Sequence, residues 1–527
     1  MLPVGAHGWS QPRGLRLHHR LPTLLQRRRA SLVHGAAIAP PATAPVAAAD
    51  EVETAEEAEA RRAFEAQASQ WDTRKEVRKV VAFCAPAAST TLAEPLMSFI
   101  DTVCVGSAKA STLSLAALGP NVVIFNTLLW TFCFLASATT IEVSLLLAQQ
   151  DEAAAQRIVS MALVIAVGLG VATTAGLLAF STPLIAATGA NPAIVPAAVS
   201  YLRVRALSAP AVLVSMVLQA TLLAQRDALT PLRIILATSF ANIVGDATLI
   251  LGFGQGLVGA ALATTAAQWL AVPLFLWLGF WRPGAKSRVS LQWARPLTAD
   301  IKRFLKRSAS ISVIFVSLNT SFLLLCSRAT TFSTVASAAH QAMWSMFNLL
   351  MSATMPLQQA TQVFLPTYLE ADAMRGPKAP RTAEKLLDVL MGVGLGAGLL
   401  LGTIGLCTPH LIPHVFTKDM RLWPIMRSFS GATFVSLLLA GAVQVVDGAY
   451  LAMDGIGYLV RCSCLNVAVV AGYLWWAITV QGSGVQAVWK GLTLLYLVRA
   501  GESGAWIARK RRQRARARAE AATAAAA

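Results

Sequence analysis

Long apolar stretches separated by short polar breaks occupy the chain from about residue 80 to 508. A helix that spans a lipid bilayer needs roughly 20 mainly apolar residues. Twelve such stretches follow one another, with approximate bounds 80–106, 113–148, 157–180, 193–224, 231–252, 257–281, 308–328, 335–369, 386–407, 423–452, 455–480 and 485–508. The pattern predicts an all-α integral membrane protein with about twelve transmembrane helices.

Composition supports this prediction and narrows the function. Hydrophobic residues make up 55% of the 527 residues and charged residues 13%, and the mean hydropathy is +0.58, which is typical of a membrane protein. The sequence contains no Walker loop, nucleophile elbow or HExxH motif. We therefore expect neither an ATP-driven pump nor a membrane hydrolase, and no enzymatic activity or cofactor.

The net charge of +18 is concentrated in residues 1–49, in residues 282–307 and in the tail "RKRRQRARAR". Such runs flank membrane spans as topology signals, so we do not expect nucleic-acid binding. The connections after the odd-numbered spans contain only four basic residues, Lys109, Arg328, Lys418 and Arg421. The positive-inside rule then places both termini and the even-numbered connections on one side of the membrane, here called the basic face.

The first 49 residues contain six arginines and no acid, which is typical of an organelle transit peptide. A disordered basic tail is the alternative. We expect a chloroplast envelope location, with a mitochondrial or other cellular membrane as the alternative. The expected domains are a transit peptide over 1–49, an acidic-to-mixed segment over 50–79, an N-lobe over 80–281, a basic inter-lobe loop over 282–307, a C-lobe over 308–508 and a disordered tail over 509–527.

The two halves of the chain resemble each other. An offset of 222 residues aligns Cys104 with Cys326, and Phe125 and Asn126 with Phe347 and Asn348. Further along the chain, an offset of 228 residues aligns Arg233 with Arg461. Because each half has six spans, both halves enter the membrane in the same orientation. The repeat predicts two pseudo-symmetric six-helix lobes, an arrangement common in transporters.

Two carboxylates in the first half fall inside apolar spans. Asp101 lies in span 1, six residues after the helix-bending Pro95, and Asn242 and Asp246 lie one helical turn apart on one face of span 5. A buried carboxylate costs at least ~2.5 kcal/mol, and spans 1, 2, 3, 5 and 6 have no Lys or Arg at comparable depth. We expect a coupling cation, H⁺ or Na⁺, as the partner. The structural alternative is a pair of acids hydrogen-bonded to neighbouring helices.

Other polar residues are weaker candidates. Asp447 in span 10 is a candidate C-lobe acid, because the sequence shows no basic neighbour, although a structural role is equally open. We expect Glu94 and Glu142 to be capping or solvated, and Asp454 to be hydrated. His410 and His414 have a ligand-like spacing, but Pro413 separates them and no metal site is expected. Five glycines of span 9 have spacings that favour close helix packing: Gly392, Gly394, Gly396, Gly398 and Gly402.

The motifs "EPLMSFIDTVCVG", "LAALG", "NIVGD", "GAALAT" and "AAHQ", in this order over about residues 77–508, resemble the multidrug and toxic compound extrusion (MATE) family. The N-terminus and "VVDGAYLA" look most like the plastid branch, which includes salicylate exporters. The resemblance implies two lobes in a V that alternate in access and exchange a cation for an organic solute. It also implies a cation site at Asp101, Asn242, Asp246 and Thr264, with Ala260 as a backbone ligand and a helix bend near Pro95.

The sequence departs from the family at two places. Many bacterial members have an acid in span 7 and another where this chain has Gly441, so we expect no C-lobe cation site of that kind. The short connection between spans 2 and 3 argues against citrate. The expected function is export of a phenolic compound, another organic anion or a xenobiotic by a monomer in the lipid bilayer. A lipid-linked sugar flippase and a non-transporting receptor or scaffold are the alternatives.

Overall fold

The structure of the protein is a computed structural model. The described residues are 71–107, 112–187, 192, 194–283, 287–291, 294, 298–329, 332–375, 382–415, 420–453 and 455–524. The predicted transit peptide, the acidic stretch before residue 71 and Asp454 lie outside these residues.

Within the described residues the chain forms twelve successive helices. They are α1 (Thr73–Ser107), α2 (Thr112–Ala148), α3 (Glu152–Ala187), α4 (Val195–Ala206 and Ala209–Ala224), α5 (Leu229–Asp246, continued by a π-helical turn Ala247–Gly252), α6 (Gly256–Leu274, continued by Phe275–Trp281), α7 (Thr298–Ala329), α8 (Thr334–Ser352 and Met355–Arg375), α9 (Thr382–Leu411), α10 (Leu422–Ala452), α11 (Ile456–Leu474, continued by Trp475–Val480) and α12 (Gln486–Ala524). Eight helices are long and apolar enough to cross a membrane, and α4 is a ninth when its two segments are taken together. The helices follow the order of the twelve predicted spans, so the predicted fold class is confirmed.

The helices pack as two groups. Helices α1 to α6 contact mainly one another and form the N-lobe, while α7 to α12 form the C-lobe. Helix α1 of the first group contacts α8 of the second, and α2 contacts both α7 and α8. The contact of α1 with α8 corresponds to the contact of α7 with α2, as expected when a two-fold pseudo-symmetry relates the two repeats.

Helix α4 is broken within its apolar length, and its two segments bend by 46°. Pro210 has no N–H to donate, and α3 approaches it so closely that a Cβ on Gly170 would lie 2.4 Å from the proline Cα. Side chains of α3 and α6 satisfy the carbonyl groups at the break: Thr174 donates to Ala206 O (2.7 Å), Thr265 to Val204 O (3.4 Å) and Trp269 to Leu207 O (3.0 Å). Neighbouring helices therefore satisfy these carbonyl groups at the break.

Helices α9 and α10 have the most extensive contact of any two helices described. A Cβ on Gly441 of α10 would lie 2.1 Å from the carbonyl oxygen of Gly394, and one on Gly398 would lie 2.5 Å from that of Leu438. Gly392 and Gly396 face open space. The predicted glycine packing thus holds for the buried row of α9 and not for the two glycines on its other face.

The helices extend beyond the predicted spans at three places. Helix α1 begins at Thr73, inside the segment assigned to the N-terminus, and α7 begins at Thr298, inside the predicted basic loop. The tail predicted to be disordered from residue 509 continues α12 through Ala524. Ala and Arg have high helix propensity, and Arg511 and Arg514 pair with Asp388 and Glu384 at the start of α9.

Candidate functional site

Asn242 and Asp246 are brought together on α5, as predicted. Their exposed fractions are 2% and 0%, and the Asn242 Nδ2 donates a hydrogen bond of 3.0 Å to Asp246 Oδ2. The other carboxylate oxygen, Asp246 Oδ1, is buried and accepts no hydrogen bond from any residue that the structure describes. No Lys or Arg of the described chain lies within ion-pair distance of this carboxylate.

Helix α6 closes over this part of α5. A Cβ on Gly245 would lie 2.9 Å from that of Ala263, so the small residues of "NIVGD" and "GAALAT" allow the two backbones to touch. On the same helix Thr264 donates its hydroxyl hydrogen to the carbonyl of the fully buried Ala260 at 2.8 Å. The lone pairs of the Thr264 hydroxyl oxygen are then available to a cation.

The remaining residues of the predicted cation site and its helix bend, Asp101 and Pro95, lie on α1. This helix runs continuously from Thr73 to Ser107 and packs against α5, so the backbones of Pro95 and Asp101 belong to a helix beside the Asp246 site. The side chains of Glu94, Pro95 and Asp101 lie outside the described part of the structure. The predicted bend at Pro95 and the role of Asp101 therefore stay predictions.

The chemistry of the described groups fits a hard cation. Asp246 provides an unpartnered carboxylate oxygen in an apolar setting, and Thr264 provides a neutral oxygen on the adjacent helix. A buried carboxylate can be neutralised either by protonation or by an alkali cation with oxygen ligands. These residues thus suit loading by H⁺ or Na⁺ from outside.

Asp447 differs from the prediction. It lies on α10 with an exposed fraction of 6% and forms an ion pair with Arg499 of α12, itself 9% exposed. The sequence did not show this basic neighbour, because it comes from another helix: α10 and α12 are adjacent in space although the residues are 52 positions apart. The carboxylate is already neutralised within the protein, so it does not require a cation from outside.

The pair belongs to a polar cluster that the sequence reading missed. Asn466 of α11 donates to Glu502 Oε2 of α12 at 3.1 Å. Asp447, Arg499 and Asn466 border a C-lobe cavity of about 60 Å³ that also has an apolar wall. Its other lining side chains include Phe315, Phe322, Met351, Met355, Gln358 and Gln444. The sequence does contain a sign of this cluster, because "VRAGES" places Arg499 and Glu502 three residues apart within the last apolar stretch.

Gly441 occupies the α10 position at which many bacterial relatives were expected to have an acid. The contact with the Gly394 carbonyl leaves no space there even for a methyl group. The structure therefore gives a steric reason for the predicted lack of a C-lobe cation site of that type.

Glu142 does not have the capping or solvated role that was expected. It is 2% exposed and lies between two arginines of α7, at 3.3 Å from Arg303 Nε and 3.0 Å from Arg307 Nη1. Arg157 of α3 forms a second pair across the lobes with Asp300, at 2.9 Å. The arginines of the predicted basic loop are therefore more than topology signals, because they join α7 to the N-lobe.

Further contacts join the lobes from the basic face to the middle of the helices. Tyr368 donates to Glu76 at 2.7 Å and Gln149 to Glu370 at 3.1 Å. Deeper in, the half-buried Cys84 thiol of α1 lies 3.7 Å from the carbonyl oxygen of Pro356 in α8. Together with the pairs at Glu142 and Arg157, these contacts form what we call the basic-face latch. The two lobes are closed together on this side.

His410 and His414 are not brought together as ligands. The His410 Nε2 lies 3.2 Å from Ser430 Oγ of α10, whereas His414 is exposed in a single 3₁₀ turn.

Comparison with known proteins agrees with the fold and with the N-lobe motifs. The MatE family profile matches residues 86–248. The chain is 32% identical over 427 residues to "Protein DETOXIFICATION 47, chloroplastic" of Arabidopsis thaliana, covering 80% of this chain and 75% of that protein. It is 27% identical over 444 residues to "Protein DETOXIFICATION 44, chloroplastic" of the same plant, covering 81% of each. A crystal structure of MATE in the bent conformation superposes with a TM-score of 0.75 at 19% identity, covering 85% of this chain and 99% of that one.

The twelve-helix fold, the small-residue contact of α5 with α6 and these similarities define a membrane transporter, and the chain belongs to the multidrug and toxic compound extrusion family. Both of these relatives are named as chloroplastic, in agreement with the location expected from the N-terminal composition. The protein is thus a multi-pass membrane protein of the chloroplast, in a family that transports small solutes by ion coupling without a cofactor.

Proposed function

We propose that the protein is an antiporter that exports a small organic solute in exchange for H⁺ or Na⁺ by alternating access. The observation that carries the proposal is the carboxylate of Asp246, which is fully buried, lies in a membrane helix and has an oxygen without a partner among the described residues. Such a group is expensive to keep unless an ion binds it during function.

The coupling site comprises Asp101, Asn242, Asp246 and Thr264, with the bend near Pro95 transmitting cation loading to α1. A cation can drive transport only if its affinity differs between the two access states. The close contact of α5 and α6 supports such a difference, because any movement of one helix relative to the other changes the oxygen ligands available to the cation. The C-lobe pair of Asp447 and Arg499 is internally neutralised, which supports coupling through the N-lobe alone.

The basic-face latch supports alternating access as the mechanism. Its ion pairs and hydrogen bonds join the lobes on one side of the membrane, and they have to separate for a solute to pass from that side. The chain acts as a monomer in this proposal, because both lobes that close on the solute belong to one polypeptide.

The experiment is transport into vesicles that contain purified protein, with an imposed pH or Na⁺ gradient and a panel of organic anions and cations. Asp246→Asn keeps the hydrogen-bonding shape of the side chain but cannot ionise, so gradient-driven accumulation should fall by about 10- to 100-fold. Asp101→Asn should act similarly, and the double variant should add little because both changes disable one site.

Glu152→Gln is the matched control, because Glu152 is an exposed acid on the basic face. Solute binding measured without a gradient should survive in all variants. Accumulation at the wild-type rate in Asp246→Asn vesicles would show that the acids are structural.

A further inference from the structure

Arg205 is an arginine at membrane depth that the cation-coupling mechanism does not use. It lies ten residues after the start of α4, which is about 15 Å along the helix at 1.5 Å per residue. The residue is half-buried. A guanidinium group carries a positive charge and five N–H donors and has no acceptor.

The described surroundings of Arg205 do not neutralise its charge. The Nη1 donates 2.8 Å to the amide oxygen of Gln268 on α6, and the guanidinium carbon lies 4.6 Å from the ring centre of Phe125 on α2. The Nε is buried and donates to no residue that the structure describes. No carboxylate of that part of the chain lies within ion-pair distance of Arg205.

Each of these contacts orients the guanidinium without cancelling its charge. The Phe125 ring attracts a cation through its π face, and Gln268 fixes one edge through a neutral acceptor. The break of α4, which begins directly after Arg205 at Ala206, is held by α3 and α6, so the backbone that carries the arginine is fixed as well. The described chain accepts a hydrogen bond from Nη1 alone, so this half-buried, preorganised guanidinium keeps donors that match the geometry of a carboxylate or another oxyanion.

The position of Arg205 links it to the coupling site. Gln268 follows Thr264 by four residues on α6, so the two side chains lie one turn apart on one face of that helix. The fixed positive charge is therefore one helical turn from a residue of the proposed cation site.

We propose that Arg205 binds the anionic group of the transported solute, and that the solute class is a small organic anion with a carboxylate or similar oxyanion. This inference rests on the proposed transport function and names the ligand class of the same N-lobe. Gln268 and Phe125 are positioning residues, because they hold the guanidinium rather than contact the solute.

The test is equilibrium binding to the purified full-length protein in lipid nanodiscs, without any ion gradient. Three probes of nearly equal shape differ in charge: benzoate, benzamide and benzylammonium. Benzoate should bind about tenfold or more tightly than the other two, as expected for a charged hydrogen bond. Inorganic phosphate is included to separate an organic-anion site from a general anion site, and it should compete poorly.

Arg205→Gln should remove the preference for benzoate, and Arg205→Lys should retain part of it. Arg203→Gln is the matched control, because Arg203 is an exposed arginine two residues away that donates to Ser181 at 3.2 Å. It should bind benzoate like the wild type.

The proposal is overturned if Arg205→Gln binds benzoate normally, if wild-type protein binds benzamide or benzylammonium as tightly as benzoate, or if phosphate competes equally well. If Arg205→Gln fails to fold, binding of the three probes to wild-type protein and to Arg205→Lys still tests the proposal. Because the assay needs no gradient, failure of cation coupling would leave benzoate binding intact and is therefore distinguishable from failure of this inference.

Discussion

Two buried carboxylates, Asp246 and Asp447, occupy similar apolar settings and have different surroundings. Asp246 has an amide and a neutral helix neighbour, whereas Asp447 has the guanidinium of Arg499. A carboxylate that pairs with an arginine of the protein needs no ion from outside, whereas one without such a partner does. We therefore propose a coupling role for Asp246 and a structural role in the C-lobe for Asp447.

Asp447→Asn is expected to destabilise the protein by about 3–5 kcal/mol, because it leaves Arg499 buried without a counter-charge. Thermal unfolding of the purified protein in detergent measures this. The double variant Asp447→Asn, Arg499→Gln should recover part of the loss, since it removes both charges. Asp388→Asn, which breaks an exposed pair with Arg511, should change little. A marked loss of coupling in folded Asp447→Asn protein would contradict the structural assignment.

The sequence predicted Asn242 and Asp246 as neighbours because four residues on a helix make one turn, which is a local rule. It did not predict the partner of Asp447, since that contact depends on which helices are adjacent. The same limit applied to Glu142, whose arginines lie more than 150 positions away. Arg205 was also missed, because its arrangement requires α2, α4 and α6 together.

At the scale of the helices, the contact between α9 and α10 is the tightest described and should tolerate no added atom. Gly441→Ala places a Cβ against the Gly394 carbonyl and should reduce the free energy of unfolding by about 1–3 kcal/mol. A lower thermal midpoint is the measurement. Gly392→Ala and Gly396→Ala face open space and should be neutral or slightly stabilising, because Ala favours the helix. Equal midpoints for all three variants would contradict this packing.

The basic-face latch makes a prediction about the access equilibrium. Glu142→Gln removes the carboxylate between Arg303 and Arg307 and should shift the protein towards the state that is open at this face, by about 1–3 kcal/mol. The distance between spin labels on the exposed Gln150 and Lys302 measures the change. The control Glu152→Gln alters an exposed pair with Arg288 and should leave the distance distribution unchanged. An unchanged distribution in Glu142→Gln would show that the latch does not hold the lobes.

The apolar pattern predicted the existence and order of the helices well, because lipid requires each backbone to satisfy its own hydrogen bonds. It predicted poorly where helices continue beyond the membrane. The starts of α1 and α7 and the end of α12 are polar and helical, so propensity and ion pairs determine them rather than hydropathy. The α4 break was likewise hidden, because Pro210 alone does not indicate whether a helix stops, bends or continues.

For the whole molecule, the N-terminal composition and the chloroplastic relatives lead to a prediction about import. A fusion of residues 1–70 to a fluorescent protein should label chloroplasts, because acid-free arginine-rich segments are recognised by import receptors. Microscopy of plant or algal cells is the measurement. A matched fusion with the six arginines of residues 1–49 changed to glutamine should stay in the cytosol. A cytosolic, secretory or mitochondrial signal from the unchanged segment would contradict the assignment.

The Cys84 thiol lies at the seam between the two lobes, 3.7 Å from a carbonyl of α8, whereas Cys464 is exposed on α11. Alkylation of a thiol requires room for the reagent, so the lobes shield Cys84 as long as they stay together, whereas the exposure of Cys464 does not depend on the seam. The rate of maleimide modification at Cys84, divided by the rate at Cys464, should therefore rise when the seam separates more often. Opening of the seam could then be followed in the wild-type chain, in its native membrane, before any solute has been identified.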